Sequence, residues 1–194
     1  MWKDKDIDDY LKENLKKERY FHSIGVMNSS LALAKLYGAD EEKASLAGLI
    51  HDNAKAMPDL ALIKIAKKNE FKLDKVYKAY PQLLHGFASS IIGRDVMGIE
   101  DEDILSAVAC HTTGKENMNL LDKIIYIADY IEVNRNFPGV KELRELAFKD
   151  LNKAMLKAFD MTLNYVIEGG KLIHPLTIKA RNYIIFNETK ETEI

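Results

Sequence analysis

Apolar residues recur at helical spacing along nearly the whole chain. Between 22 and 37, Ile24, Met27, Leu31, Ala34 and Leu36 follow at steps of mostly three or four, and Gly38 stands where a helix-ending glycine belongs. Asp40 then offers an N-cap, with Glu41 and Glu42 in the turn where the helix dipole favours acids. Leu46, Leu49 and Ile50 mark a buried face on a helix predicted to run to about Met57, where Pro58 stops it. Further periodic stretches cover roughly 59–68, 73–79, 83–97, 101–111, 119–132, 140–148, 150–168 and 175–186. Strand signals are poor: β-branched runs are short, and no Asn-Gly or Asp-Gly turn joins alternating segments. With no repeat, linker or composition shift, the pattern predicts one all-α domain over residues 1–194. It would be a bundle of about eight to ten helices, with a core from about 7 to 187 and a polar tail at 188–194.

Composition agrees. Hydrophobic residues are 47% and charged ones 30% of 194, enough for a proper core and unlike a disordered or low-complexity chain. The net charge of −2 leaves no basic excess for a nucleic-acid backbone, so nucleic acid is not an expected partner. A local cationic pocket for a small phosphorylated ligand stays open. Cys110 is the only cysteine, which excludes an intrachain disulfide and fits a reducing compartment. The opening segment is charged from residue 3 and has no apolar h-region, and no apolar run approaches the ~18 residues of a membrane span. The expectation is a cytoplasmic protein that does not engage a membrane. Tyr77, Tyr80, Phe87 and Met97 are candidates for a homodimer face, although core packing explains such residues as readily.

The chemistry lies in where polar residues interrupt apolar ones. A bare His-Asp pair is a weak motif, but His51-Asp52 lies inside LAGLIHDNAK, where an ionised carboxylate costs several kcal/mol unless a cation or metal holds it. The conflict recurs: His22 opens an apolar helix, His85 begins HGFASSIIG, His111 closes ILSAVACH, and Asp129 lies within LDKIIYIADYIE. One buried histidine is more often a hydrogen-bonded core residue than a ligand, yet repeated placements in one small chain are harder to dismiss. Histidine and carboxylate together suit Fe, Mn, Co or Zn. Four His and two Asp exceed a four-coordinate structural site and fit two metals sharing a carboxylate, with positions left for water and phosphate. Cys110, beside His111, reads as a small core residue.

Cations accompany these groups. Arg19 lies one turn before His22, Lys55 follows Asp52 by three residues, and Arg135 follows Asp129 through EVNRNFPG. HPLTIKARN places His174 and Thr177 at the start of the last helix, with Arg181 one turn on, a combination suited to phosphate.

These residues resemble the HD-domain metal-dependent phosphohydrolases, whose H…HD…D signature stands here as His22, His51-Asp52 and Asp129. Within that superfamily, RYFHSIGV, LAGLIHDNAK, CHTTG, IYIADYIEVNRNFPGV and IHPLTIKARN resemble the bacterial YqeK-type symmetrical dinucleoside tetraphosphatases, from about residue 7 to 187. The resemblance implies a helical domain with an iron-type centre of one or two ions that splits diadenosine tetraphosphate into two ADP. It implies His22, His51, Asp52 and Asp129 as core ligands, with His85 and His111 completing a second metal position or touching phosphate. Arg135, His174, Thr177 and Arg181 would line the nucleotide site.

In the mechanism so implied, water activated by metal attacks a central phosphorus. Asp52 anchors the metal, Asp129 holds the water, and Lys55 and Arg135, joined by Arg19, stabilise phosphoryl charge. Hydrolases of the guanosine tetraphosphate alarmone carry HDxxED where this chain reads HDNAKA, and the Gly-Tyr-Pro element of cyclic-dinucleotide phosphodiesterases is absent. The alternatives are an HD-type phosphohydrolase of another nucleotide and a non-catalytic nucleotide-sensing module.

Overall fold

The structure, a computed structural model, describes residues 2–191. Eleven α-helices follow one another, with no strand among the described residues: α1 (Asp4–Asn14), α2 (Lys17–Tyr37), α3 (Glu41–Ile50), α4 (Asp59–Lys68), α5 (Lys75–Ala79), α6 (His85–Asp95), α7 (Glu102–Cys110), α8 (Leu120–Ile131), α9 (Val140–Ala147), α10 (Leu151–Glu168) and α11 (Pro175–Glu191). A 3₁₀ turn, Pro81–Leu84, leads into α6. The all-α expectation holds, with one helix more than the range read from periodicity.

Helix α8 is the hub, packing against α2, α3, α7, α9 and α10. That explains a sequence apolar on every side, since Leu121, Ile124, Ile125, Tyr126, Ile127, Ala128 and Ile131 are all buried. The α2–α3 pair crosses closely because Gly48 faces α2: a Cβ there would lie 2.7 Å from Ser30 Oγ and 3.0 Å from Met27 Cα. The caps behave as their residue types predict. Gly38 ends α2 in the left-handed region at φ 72°, and the Asp40 carboxylate accepts from the Lys43 amide at 3.0 Å.

Four boundaries differ from the periodic reading. Helix α1 carries only two buried apolar residues, Ile7 and Leu11, too few to register as a stripe. Helix α2 starts at Lys17, and its buried side is Ser23, Val26, Ser30 and Leu33. Ile24, Met27 and Leu31 are half-buried and Leu36 is exposed, because small polar residues let α3 and α8 approach the helix. Helix α3 stops at Ile50 instead of Met57: the Ala54 amide donates to Ser89 Oγ at 3.0 Å, and residues 51–57 tighten to three-residue turns. Helix α11 continues to Glu191, into the segment expected as a polar tail, and residues 192–194 lie outside the described part.

Of the residues considered for a dimer face, Tyr77 and Met97 belong to the core and Phe87 packs on Phe71, leaving Tyr80 exposed. None of the described helices is long and apolar enough to cross a membrane.

Phe159 of α10 anchors the lower core, fully buried with its ring 4.7 Å from that of Tyr126. It also fixes the turn after α7, where Gly114 sits at φ +69° with Phe159 Cζ only 2.8 Å from where a Cβ would stand. Phe159→Ala is expected to cost about 3–5 kcal/mol of unfolding free energy in urea titrations, because the cavity left behind lies between fixed helices.

Candidate metal centre

Five helices deliver six polar side chains to one buried spot. His22 projects from α2 and Asp129 from α8. His51 and His111 cap the C-termini of α3 and α7, His85 is the first residue of α6, and Asp52 sits in the turn after α3. All but Asp129 are at most 7% exposed, and the Asp129 side chain is 17% exposed.

The helix ends explain how the rings are aimed. His51 Nδ1 donates to the Gly48 carbonyl at 2.8 Å, His111 Nδ1 to that of Val108 at 2.8 Å, and His85 Nδ1 to that of Gln82 at 2.5 Å. In each case the acceptor lies three residues earlier. A carbonyl only accepts, so Nδ1 carries the hydrogen and Nε2 keeps its lone pair. His22 reaches the same state differently, with Nδ1 3.1 Å from Glu132 Oε1.

The free nitrogens meet the carboxylates. His22 Nε2 is 3.0 Å from Asp129 Oδ1, while His85 Nε2 and His111 Nε2 lie 3.1 Å and 3.5 Å from Asp52 Oδ1. His51 Nε2 stands between, 3.8 Å from Asp52 Oδ2 and 3.9 Å from Asp129 Oδ1. Two triplets, His22/His51/Asp129 and His51/Asp52/His111, each bring their ligand atoms within 4.8 Å of one another. His22 Nε2, His51 Nε2 and Asp52 Oδ1 are buried without a hydrogen-bond partner. Acceptors facing acceptors repel unless a cation sits among them, so this donor set fits a divalent ion.

Burial and ion pairing pull the protonation states in opposite directions. Burial drives His51 down to about 4 and also lowers His85, keeping both imidazoles neutral. Burial pulls His22 down as well, but the carboxylates of Asp129 and Glu132 more than offset it and raise the net value. Burial opposes ionisation of Asp52, yet positive charge on His51 or an N–H turned toward it from His111 or His85 holds it well below the usual carboxylate range, the part a divalent ion would take over. His22 and Arg135 do the same for Asp129. Neutral imidazole and ionised carboxylate are the forms that bind metal, so His22, whose pKa is raised, would release a proton to an entering ion.

A cationic rim surrounds this centre. Arg19 Nη1 is 3.2 Å from Asp52 Oδ2, and Lys55 Nζ is 3.2 Å from His85 Nε2. Arg135 reaches back along α8, its Nη2 on the Asp129 carboxylate and its Nε on the Asp129 carbonyl at 2.7 Å. Lys55 is on the side of His51 and Asp52, as its spacing predicts, but from a turn and not from a helix. Burial lowers its ammonium pKa.

His174 and Thr177 stand apart from the six. They line a cavity of about 280 Å³ with Tyr80, Leu83, Tyr165 and Leu172. Thr112, 3.2 Å from His85 Nε2, belongs to that cavity and to the edge of the centre. Thr177 Oγ1 donates to the Thr113 carbonyl at 3.0 Å, and the His174 ring lies 4.4 Å from Tyr77. Arg181 does not join them: its guanidinium pairs with Asp160 on α10, and it is not among the cavity-lining residues. Cys110 is buried, with Sγ turned toward the Ala107 carbonyl and its thiol pKa pushed up by burial.

Glu132 is the group that sequence reasoning passed over. It is 1% exposed, and its only signal is a carboxylate closing the apolar run of α8.

Comparison with known proteins follows the same lines. An HD-domain family profile matches residues 19–134. The crystal structure of a predicted HD superfamily hydrolase involved in NAD metabolism from Clostridium acetobutylicum superposes with a TM-score of 0.95 at 50% identity, covering 96% of this chain and 99% of that one. Curated relatives are named symmetrical bis(5'-nucleosyl)-tetraphosphatase. The one from Halalkalibacterium halodurans is 40% identical over 92% of this chain and 95% of its own length. The one from Bacillus subtilis is 37% identical over 90% and 94%.

Two outcomes follow. Chelator-stripped protein should gain thermal stability on adding Mn²⁺, by about 2.7 kcal/mol at a hundredfold excess over Kd, and Asp52→Ala should abolish that gain in differential scanning calorimetry. Cys110 should resist maleimide in the native protein and react within minutes in guanidinium, read by mass spectrometry.

Proposed function

The chain belongs to the HD-domain family, and on that footing we propose that it hydrolyses dinucleoside tetraphosphates, diadenosine tetraphosphate first among them, symmetrically into two nucleoside diphosphates. The observation that carries this reading is the set of four histidines whose Nδ1 atoms are all tied down, so that their Nε2 atoms converge with Asp52 and Asp129 beneath three cations. Relatives matched over nearly their whole length and named for symmetrical tetraphosphate cleavage support it.

His22, His51, Asp52 and Asp129 would hold the ion, with His85 and His111 completing a second position or meeting phosphate. The resident metal in this reading is iron; elemental analysis returning only manganese, cobalt or zinc overturns that choice. A bound divalent ion supplies Lewis acidity at a phosphoanhydride oxygen and lowers the pKa of water. Arg19, Lys55 and Arg135 bind the phosphate chain and stabilise charge on the transferring phosphoryl and the departing diphosphate. Lys55, partly desolvated, is poised for such a partner. Asp129, the most exposed of the ligand candidates, accepts a hydrogen bond from the attacking water. The cavity beside Thr112 seats a nucleoside, its apolar walls facing the base and His174 and Thr177 at its polar side. The whole chain acts as one catalytic domain in a reducing cytoplasm, consistent with a single buried thiol.

Chromatography of products from diadenosine tetraphosphate with ferrous, manganous or cobaltous ion tests the reaction. ADP alone is expected. ATP with AMP would keep a hydrolase and reject symmetrical cleavage, and no turnover beside tight nucleotide binding would make the protein a sensor. Arg135→Ala should lower kcat by about 10²–10³-fold, the usual effect of losing one charge-stabilising group.

A further inference from the structure

We infer that Glu132 is a positioning residue for the metal centre, holding the His22 imidazole so that its Nε2 faces the ion. The inference rests on reading the His/Asp cluster as a metal centre and adds to it a residue that touches no metal. His51, His85 and His111 take their orientation from carbonyls three residues earlier in their own chain segment. His22 has no such local partner. It lies inside α2, where the carbonyls of the preceding turn are used by the helix itself, so its Nδ1 hydrogen must find an acceptor from another element. Glu132 Oε1, brought 110 residues along the chain, is that acceptor at 3.1 Å.

The carboxylate is itself held from two directions. Its Oε2 accepts from the Asn134 amide at 2.7 Å and from Asn134 Nδ2 at 3.0 Å, so both oxygens have partners that fix their direction. The chain turns at this point because Arg144 of α9 satisfies the end of α8: its Nε donates to the Ile131 carbonyl and its Nη2 to those of Glu132 and Arg135, all at 2.7 Å. One brace therefore sends Glu132 to His22 and Arg135 to Asp129.

Room for Glu132 comes from a missing side chain. Gly25, one turn after His22 on α2, lies so close that a Cβ there would collide with Glu132 Oε2 and stand 3.1 Å from Cδ. Gly in a helix interior is destabilising relative to Ala. Its presence within a long helix is explained by the carboxylate it admits. Removing an outer partner of this kind lowers metal affinity by about 10–100-fold.

The test is Mn²⁺ affinity by titration calorimetry on chelator-stripped protein, in wild type, Glu132→Gln, Gly25→Ala, His22→Ala and the His22→Ala/Glu132→Gln double variant. The expected result is a 10–100-fold weaker Kd in Glu132→Gln and in Gly25→Ala. Glu132→Gln should cause no further loss once His22 is gone. Wild-type affinity in Glu132→Gln, or a loss that adds in full on top of His22→Ala, overturns the inference, since the residue would then not act through His22. The two single variants reach the carboxylate from opposite sides, so if circular dichroism shows one unfolded, the other decides. A wild-type protein that binds no Mn²⁺, Fe²⁺ or Co²⁺ strikes the metal-centre reading itself and is distinguishable from equal binding by wild type and variant.

Discussion

The fixing of four Nδ1 hydrogens is the constraint on which the rest of this structure depends. Buried imidazole nitrogens and carboxylate oxygens at 3.0–3.9 Å from one another repel unless something positive lies between them. Left free, the rings would rotate to find donors, and the cluster would collapse into ordinary hydrogen bonds. Carbonyls at helix ends, and one carboxylate, deny them that choice.

The scaffold is arranged to supply those ends. Helices α3 and α7 stop one residue before a histidine, and α6 starts on one, so three helix termini point inward where α2 and α8 cross. The C-terminal ends of α3, α7 and the 3₁₀ turn before α6 present carbonyls that side chains can use, and here the histidines take them. The cost of burying so many polar groups is offset by the apolar hub of α8 and by close approaches at small residues such as Gly48. Stability and site geometry thus share the same helices, and the core cannot be loosened without moving the clustered histidines and aspartates.

Outside the cluster of histidines and aspartates, charge changes sign. Arg19, Lys55 and Arg135 come from three separate elements and converge only above the carboxylates. On the proposed reading, a polyanion would meet positive charge first and the histidines and aspartates behind it. The cavity walled by α10, α11 and the 3₁₀ turn opens beside that rim, joined to the centre through Thr112.

Much of this was legible in the chain. Helical spacing gave the all-α class, glycines and acids marked caps such as Gly38 and Asp40, and polar residues stranded in apolar runs named the five residues of the two triplets and the His85 that lies against Asp52. Those signals are local, set by residues three or four apart. What the sequence could not carry is long-range. The end of α3 at Ile50 depends on Ser89 capturing an amide, and the pairing of Arg181 with Asp160 depends on how α10 and α11 meet. Glu132 reads in sequence as one more acid at the end of a helix. Only the fold brings it against His22 across 110 residues, because an imidazole inside a helix has no carbonyl of its own to use.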